Sequence, residues 1–164
     1  MRTSESVLRK TLASPDFKAP RVFAGVPWEF VIESALRLRK LLQDEGLDSW
    51  PKTTGGKGLH LMVPIERDIS HDAARLYSKR LAQRLEAADP ARYTTSSAPA
   101  KRHKRIYIDY LRNRRGTTAV GAYSPRARER FTVAAAWAQV ERGIRPDAFT
   151  IARPPPATTR RKGA

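Results

Sequence analysis

Thr53-Thr54-Gly55-Gly56-Lys57-Gly58-Leu59-His60 is the stretch on which the reading of this chain turns. It follows a helical pattern and opens into Leu59–Pro64, an apolar run that reads as a buried strand. Three glycines within four residues let the backbone turn sharply and approach a ligand closely. Successive backbone N–H groups in such a turn can form a concave anion site. Lys57 adds a point charge, Thr54 a hydroxyl and His60 a ring that donates when protonated. These are the parts needed to hold a phosphate. The stretch is not a P-loop, because the Gly-x-x-x-x-Gly-Lys-Ser/Thr spacing is absent and a strand follows where a helix should. The competing local reading is a strand-connecting turn with an exposed lysine.

Before this turn, the positions Trp28, Val31, Ile32, Ala35, Leu38, Leu41 and Leu42 have helical spacing with one apolar face. Gly25-Val26-Pro27 leads in, with Pro27 suited to the first helical position, and Gly46 closes the helix as a cap. Val22-Phe23 reads as the end of a strand. After the turn, the strand from Leu59 is apolar on both sides and is expected to be central. Ser70 is a good N-cap for a second helix with Ala73, Leu76, Tyr77, Leu81 and Leu85 on its inner face and His71 toward solvent. Asp89-Pro90 ends that helix. Residues 94–104 form a polar basic loop. Arg105–Tyr110 reads as a strand ending near Asp109, and Thr117–Val120 as another. Tyr123–Arg130 reads as an irregular arginine-rich loop, Ala134–Arg142 as a short helix with Trp137 inward, and Phe149–Ile151 as a last strand. Helices alternating with strands imply an α+β fold, a mixed or antiparallel sheet packed with helices. Residues 1–20 are expected to be weakly ordered, 21–152 to form one domain, and 153–164 to be a disordered basic tail led by Pro154-Pro155-Pro156.

The chain of 164 residues carries 32 Lys+Arg against 16 Asp+Glu, a net charge of +16 that points to nucleic acid as a partner. With 40% hydrophobic residues it can still bury a core. Absence of cysteine excludes disulfides, thiolate catalysis and cysteine zinc sites, and fits a reducing cytoplasm. No apolar run is long enough to span a bilayer, and the start lacks the apolar region of a secretory signal, so no membrane is expected.

Between Lys101 and Arg130 ten basic residues are opposed only by Asp109 and Glu129. Guanidinium forks suit phosphate oxygens. A lone carboxylate in such a field is either salt-bridged to Arg105 or Arg112, or a ligand for a hard cation.

Thr53–His60, Arg105-Ile-Tyr-Ile-Asp-Tyr-Leu-Arg-Asn113, Arg115-Gly-Thr-Thr-Ala-Val120 and Ala122-Tyr-Ser-Pro-Arg-Ala-Arg128 together resemble the polymerase domain of bacterial DNA ligase D, a member of the archaeo-eukaryotic primase superfamily. The resemblance runs from about Val22 to Ile151 and implies a primase-polymerase-like fold. It also implies nucleotide addition at DNA breaks in non-homologous end joining, with manganese or magnesium. The implied partners are DNA ends and nucleoside triphosphates, with a DNA ligase and a Ku-type end-binding protein. The implied location is the bacterial cytoplasm, at the nucleoid. Carried over by position, Asp109 is the catalytic, metal-binding carboxylate. Thr54 stands where the family usually has serine and, with Lys57 and His60, contacts the phosphates of the incoming nucleotide. Arg102 and Arg126 match arginines that grip the triphosphate.

The chain departs from the family upstream. A hydrophobic-Asp-Leu-Asp-Pro motif is expected shortly before the helix at Trp28, yet Val22-Phe23 runs straight into Ala24-Gly25-Val26-Pro27. Asp16 lies too far upstream to replace the pair, and Glu29 falls inside the helix. The expectation is an incomplete domain, truncated at its N-terminal side and impaired in catalysis. The alternatives are a non-catalytic binder of nucleic acid or nucleotide, and a relic without function.

Overall fold

The computed structural model describes residues 21–22, 26–56, 58–66, 68–117, 121–126, 130–145, 147–150 and 152–155. The expected weakly ordered segment 1–20 and most of the expected tail 153–164 lie outside the described residues, as does Lys57.

Helix α1 spans Trp28–Asp44 and buries Val31, Ile32, Ser34, Ala35, Leu38 and Leu42, the face that helical spacing selects. Pro27 sits one residue earlier than expected, at the cap, where its carbonyl accepts from Phe30 N at 3.2 Å. At the other end Gly46 takes φ 73°, the left-handed conformation that closes a helix cheaply only in glycine. Its N–H donates to Gln43 O and that of Leu47 to Leu42 O, both at 2.9 Å, satisfying carbonyls that a bare helix end leaves open. Leu47, buried, seals this turn against the core.

Strand β2, Trp50–Thr53, and β3, Leu59–Met62, form an antiparallel hairpin with Thr53 opposite Leu59. Here one expectation is corrected. Among the described residues β3 pairs only with β2, whereas β2 also receives the chain at 133–135. Thr53 N donates to Val133 O and Ala135 N to Pro51 O, each at 2.9 Å. The middle strand is therefore β2, and β3 buries Leu59 and Leu61 while His60 and Met62 are half-buried.

Helix α2, His71–Ala88, starts at Ser70, whose Oγ accepts from Ala73 N at 3.1 Å, and leaves His71 exposed as expected. Its buried face is Ser78, Leu81, Ala82 and Leu85. Leu76 is 52% exposed, against expectation, because at about 100° per residue it points away from that group. The inner contacts of α2 are with β4, Tyr93–Thr94, and with a 3-10 turn at Leu111–Asn113, where Asn113 Nδ2 donates to Ser78 Oγ at 3.0 Å.

A three-stranded mixed sheet has the order β1-β5-β4, with β1 at Arg21–Val22 and β5 at Ile106–Tyr107. β1 runs antiparallel to β5 and β4 parallel to it. The expected strand over Arg105–Tyr110 is thus shorter in the ladder, because Arg105 reaches out to Pro90 O and Tyr110 enters the 3-10 turn. Thr117 caps the backbone at Arg112 and Arg114 through its hydroxyl instead of beginning a strand, and residues 118–120 lie outside the described residues. The arginine-rich loop contains a small hairpin, β6 at Pro125–Arg126 with β7 at Arg130–Phe131. Helix α3 is confined to Trp137–Glu141, and Trp137, half-buried, donates its Nε1–H to Ser49 O at 2.6 Å. In place of a last strand, Thr150 and Arg153 close a turn on each other. Among the described residues no helix is long and apolar enough to cross a membrane.

One core joins these pieces. It gathers Val31, Ala35, Leu38 and Leu42 from α1, Leu59 and Leu61 from β3, Leu81 and Leu85 from α2, Tyr93, Ile106, Ile108 and Val140. The architecture is α+β with small mixed and antiparallel sheets, and the core fixes both the glycine turn and the end of β5.

Candidate functional site

The glycine turn closes the β2–β3 hairpin. Thr54 N donates to Gly58 O at 3.2 Å, and Thr54 Oγ1 donates to the same carbonyl at 3.0 Å. To donate to a phosphate oxygen, the hydroxyl would have to turn from Gly58, since it has one proton. Gly55 has φ 63°, so a side chain there would be strained. Gly56 differs: an added Cβ would meet Thr54 Oγ1 at 3.5 Å, an ordinary contact, so the turn itself does not demand glycine there. His60 stands on β3 opposite Lys52, which is only 3% exposed. The sequence reading does not single out Lys52; only the hairpin register brings it beside His60.

The second part is built on β5 by strand alternation. Ile106 and Ile108 enter the core, so Tyr107 and Asp109, two residues apart, share the opposite face. Both are buried. Asp109 Oδ1 accepts from Leu111 N at 3.1 Å and from the Tyr107 hydroxyl at 3.4 Å, and Oδ2 pairs with Arg112 Nε at 3.5 Å. Of the two arginines that spacing offers, Arg112 holds the carboxylate, and Arg105 donates instead to Pro90 O at 3.2 Å. Arg102 lies with its guanidinium carbon 4.2 Å from the centre of the Tyr107 ring and donates Nε–H to Ser96 O at 3.3 Å. Burial first, and the Asp109 carboxylate next, push the Tyr107 phenol above its ordinary value, while Arg102 acts in the opposite direction.

The structure therefore gathers Arg102, Tyr107, Asp109 and Arg112 in one cluster, and places Thr54 and His60 on a separate hairpin that shares its core. Arg126 belongs to β6, with its side chain outside the described residues, as is Lys57. Tyr107 is the residue that sequence reading passes over, although the i, i+2 alternation with Asp109 is the signal that would have found it; Arg112 is one of the two partners that the spacing had offered for Asp109.

Manganese or magnesium, which the resemblance implies, finds a poor donor set here. A hard divalent ion seeks several free carboxylate oxygens. Asp109 offers one carboxylate, with Oδ1 engaged by two donors and Oδ2 by a cation. Glu29 is exposed in the first turn of α1. Among the described residues no three His, Cys, Asp or Glu side chains gather where they could hold a metal ion. The described side chains do not fit a two-metal centre.

Residues 20–163 match the model of the LigD primase-polymerase domain. The chain belongs to this family. A multifunctional non-homologous end joining protein LigD of Pseudomonas aeruginosa is 41% identical over 105 residues, which is 64% of this chain and 12% of that protein. The bifunctional LigD of Bacillus subtilis is 33% identical over 123 residues, covering 73% of this chain and 20% of that protein. The polymerase domain of Mycobacterium tuberculosis ligase D, solved in complex with DNA, superposes with a TM-score of 0.74 at 33% identity, covering 78% of this chain and 46% of that one. The LigD-family chain thus spans a small part of these full-length relatives and less than half of the solved polymerase domain.

Proposed function

We propose that this LigD-family chain binds nucleoside triphosphates and DNA through its basic surface and adds nucleotides inefficiently, or not at all, by itself. The observation that carries the reading is the closure of Asp109, whose two oxygens are held by Leu111, Tyr107 and Arg112. Two-metal phosphoryl transfer needs carboxylates to clamp ions at the attacking and leaving oxygens. A single carboxylate beside arginines holds a cation weakly, and the Asp-Leu-Asp-Pro motif does not occur between Phe23 and Ala24. Positioning and charge stabilisation make up most of catalysis in this chemistry, so loss of the clamp is severe.

Binding has separate support. The net charge is +16, and Lys101, His103, Lys104, Arg114 and Arg115 are exposed around the β5 region. Phosphate contacts release counterions and carry little base preference. Lys57, Arg102 and Arg126 are the triphosphate contacts on this reading, with Thr54 and His60 at the turn. DNA ends are the nucleic-acid partner, and a DNA ligase and a Ku-type protein the protein partners.

The test pairs an extension assay, using manganese and ribonucleotides on a gapped duplex, with filter binding to the same duplex over a salt series. The expected result is binding that weakens steeply from low to moderate salt, without extension. Robust extension that Asp109→Ala abolishes would overturn the catalytic half. A flat salt titration, or no binding at low salt, would overturn the binding half.

A further inference from the structure

The arginine-rich loop carries a tyrosine that the fold holds in a costly conformation. Tyr123 has φ 63°, the left-handed region in which a bulky residue is an outlier and glycine is at ease. Its backbone is pinned there. Tyr123 N donates to Thr132 O at 2.5 Å, and Thr132 N donates to Ser124 O at 3.1 Å. The Thr132 hydroxyl accepts from Ser124 N at 3.2 Å and donates to Gly121 O. Packing could offset the strain, yet Tyr123 takes no part in the core cluster, which draws in Tyr77, Tyr93 and Tyr110. The residue is 37% exposed instead. Other exposed aromatics differ. The Phe30 ring has the Arg92 guanidinium 4.6 Å from its centre, and Trp50 lies in the regular ladder of β2 with β3. Position gives the Tyr123 ring a use. Val133, next to Thr132, accepts from Thr53 N at 2.9 Å and donates to Thr53 Oγ1 at 3.0 Å. The Tyr123 backbone therefore lies two strand spacings, about 10 Å, from that of Thr53, where the glycine turn begins. The hairpin that continues from Tyr123 sets Arg126 opposite Arg130.

We infer that Tyr123 is a stacking platform for a nucleobase, the half of a nucleotide that a glycine turn and arginines do not recognise. Every base offers a π-face to an aromatic ring, so the contact tolerates any sequence. The net charge of +16 favours a phosphate-bearing ligand over an uncharged partner for the ring. The left-handed backbone takes the residue out of the pleat that a regular strand imposes, and the ring stays at the surface. This inference rests on the proposed nucleotide and DNA binding and names the base-recognising part of that site. A nucleoside triphosphate and an unpaired DNA base are two sources of the same chemistry, and the test separates them.

The test titrates the whole chain with two pairs of ligands, each pair matched in phosphate and differing in base. Calorimetry compares ATP with inorganic tripolyphosphate, and fluorescence anisotropy compares a single-stranded oligothymidylate with an abasic strand of equal length. Tyr123→Ala is expected to weaken a base-bearing ligand by about tenfold and to leave its base-free counterpart unchanged. Tyr123→Phe, which keeps the ring, should bind like wild type. A loss with ATP alone assigns the base to a nucleoside triphosphate, a loss with oligothymidylate alone assigns it to DNA, and a loss with both assigns it to both. No loss with either, or an equal loss with the base-free ligands, overturns the platform and leaves phosphate binding standing. Wild type that binds none of the four ligands overturns the binding proposal, and the platform with it. Stability supplies a second readout. Tyr123→Gly should bind ATP or oligothymidylate as weakly as Tyr123→Ala, yet unfold at a higher urea concentration, because glycine relieves the left-handed backbone. A lower urea midpoint for Tyr123→Gly than for Tyr123→Ala would remove the strain on which the inference stands.

Discussion

The glycine hairpin and the end of β5 solve the same problem, holding polar groups beside a hydrophobic core, by opposite means. In the hairpin the backbone does the holding. Thr54 closes on Gly58 through both its N–H and its hydroxyl, and Gly55 supplies the left-handed residue of the turn. At β5 side chains do it: Arg102 on Tyr107, Tyr107 on Asp109, and Asp109 on Arg112 and the Leu111 amide. A backbone turn is robust to side-chain exchange but sensitive to stereochemistry. A side-chain network is the reverse, since each member leaves a buried partner unsatisfied when it is removed.

The sharpest way to break this contrast is to ask whether the two regions fold as one unit. Leu59 in the hairpin and Ile106 in β5 are both fully buried in the same cluster. Leu59→Ala and Ile106→Ala should each cost about 3 kcal/mol. Urea unfolding followed by tryptophan fluorescence and by far-ultraviolet dichroism should give coincident transitions in both variants. Separated transitions in Leu59→Ala would mean that the hairpin is an independent element.

A smaller effect separates the two modes of holding. Asp109→Ala leaves the Leu111 amide, the Tyr107 hydroxyl and Arg112 without their acceptor, and should cost about 2 kcal/mol. Thr54→Val removes one neutral hydrogen bond, while the Thr54 backbone bond to Gly58 persists, and should cost about 1 kcal/mol. Equal losses in chemical denaturation would remove the distinction.

The smallest effect is alkaline. Tyr107, and likewise Tyr77 where it donates to Glu45 at 2.6 Å, hold their protons above the ordinary tyrosine value of 10.0, with burial the leading cause in each. The unfolded chain releases these protons first, so their contribution is full below pH 10.0 and declines as pH rises beyond it. Urea midpoints should therefore fall from about pH 9 to about pH 11, less steeply in Tyr107→Phe and unchanged in slope in Thr54→Val. A slope unaffected by Tyr107→Phe would count against the buried network.

Much of this was legible along the chain. The apolar stripe of α1, its Gly46 closure and the Ser70 cap are local codes, each written within a few residues and decided by backbone sterics and hydrogen bonding. Alternation also put Asp109 on the face opposite Ile108. What tertiary structure alone decided involves residues far apart in sequence or a choice between equivalent neighbours. β2 became the middle strand because the chain at 133–135 returned to it some 80 residues later. Leu76 turned outward because the α2 face that packs is set by β4 and by the turn at Asn113, which contribute contacts that no window on the helix contains. Arg112 took Asp109 and left Arg105 to Pro90, although both arginines were within reach by spacing, because the 3-10 turn carries Arg112 back over the carboxylate. Composition placed the charges, but packing chose which of them are opposed.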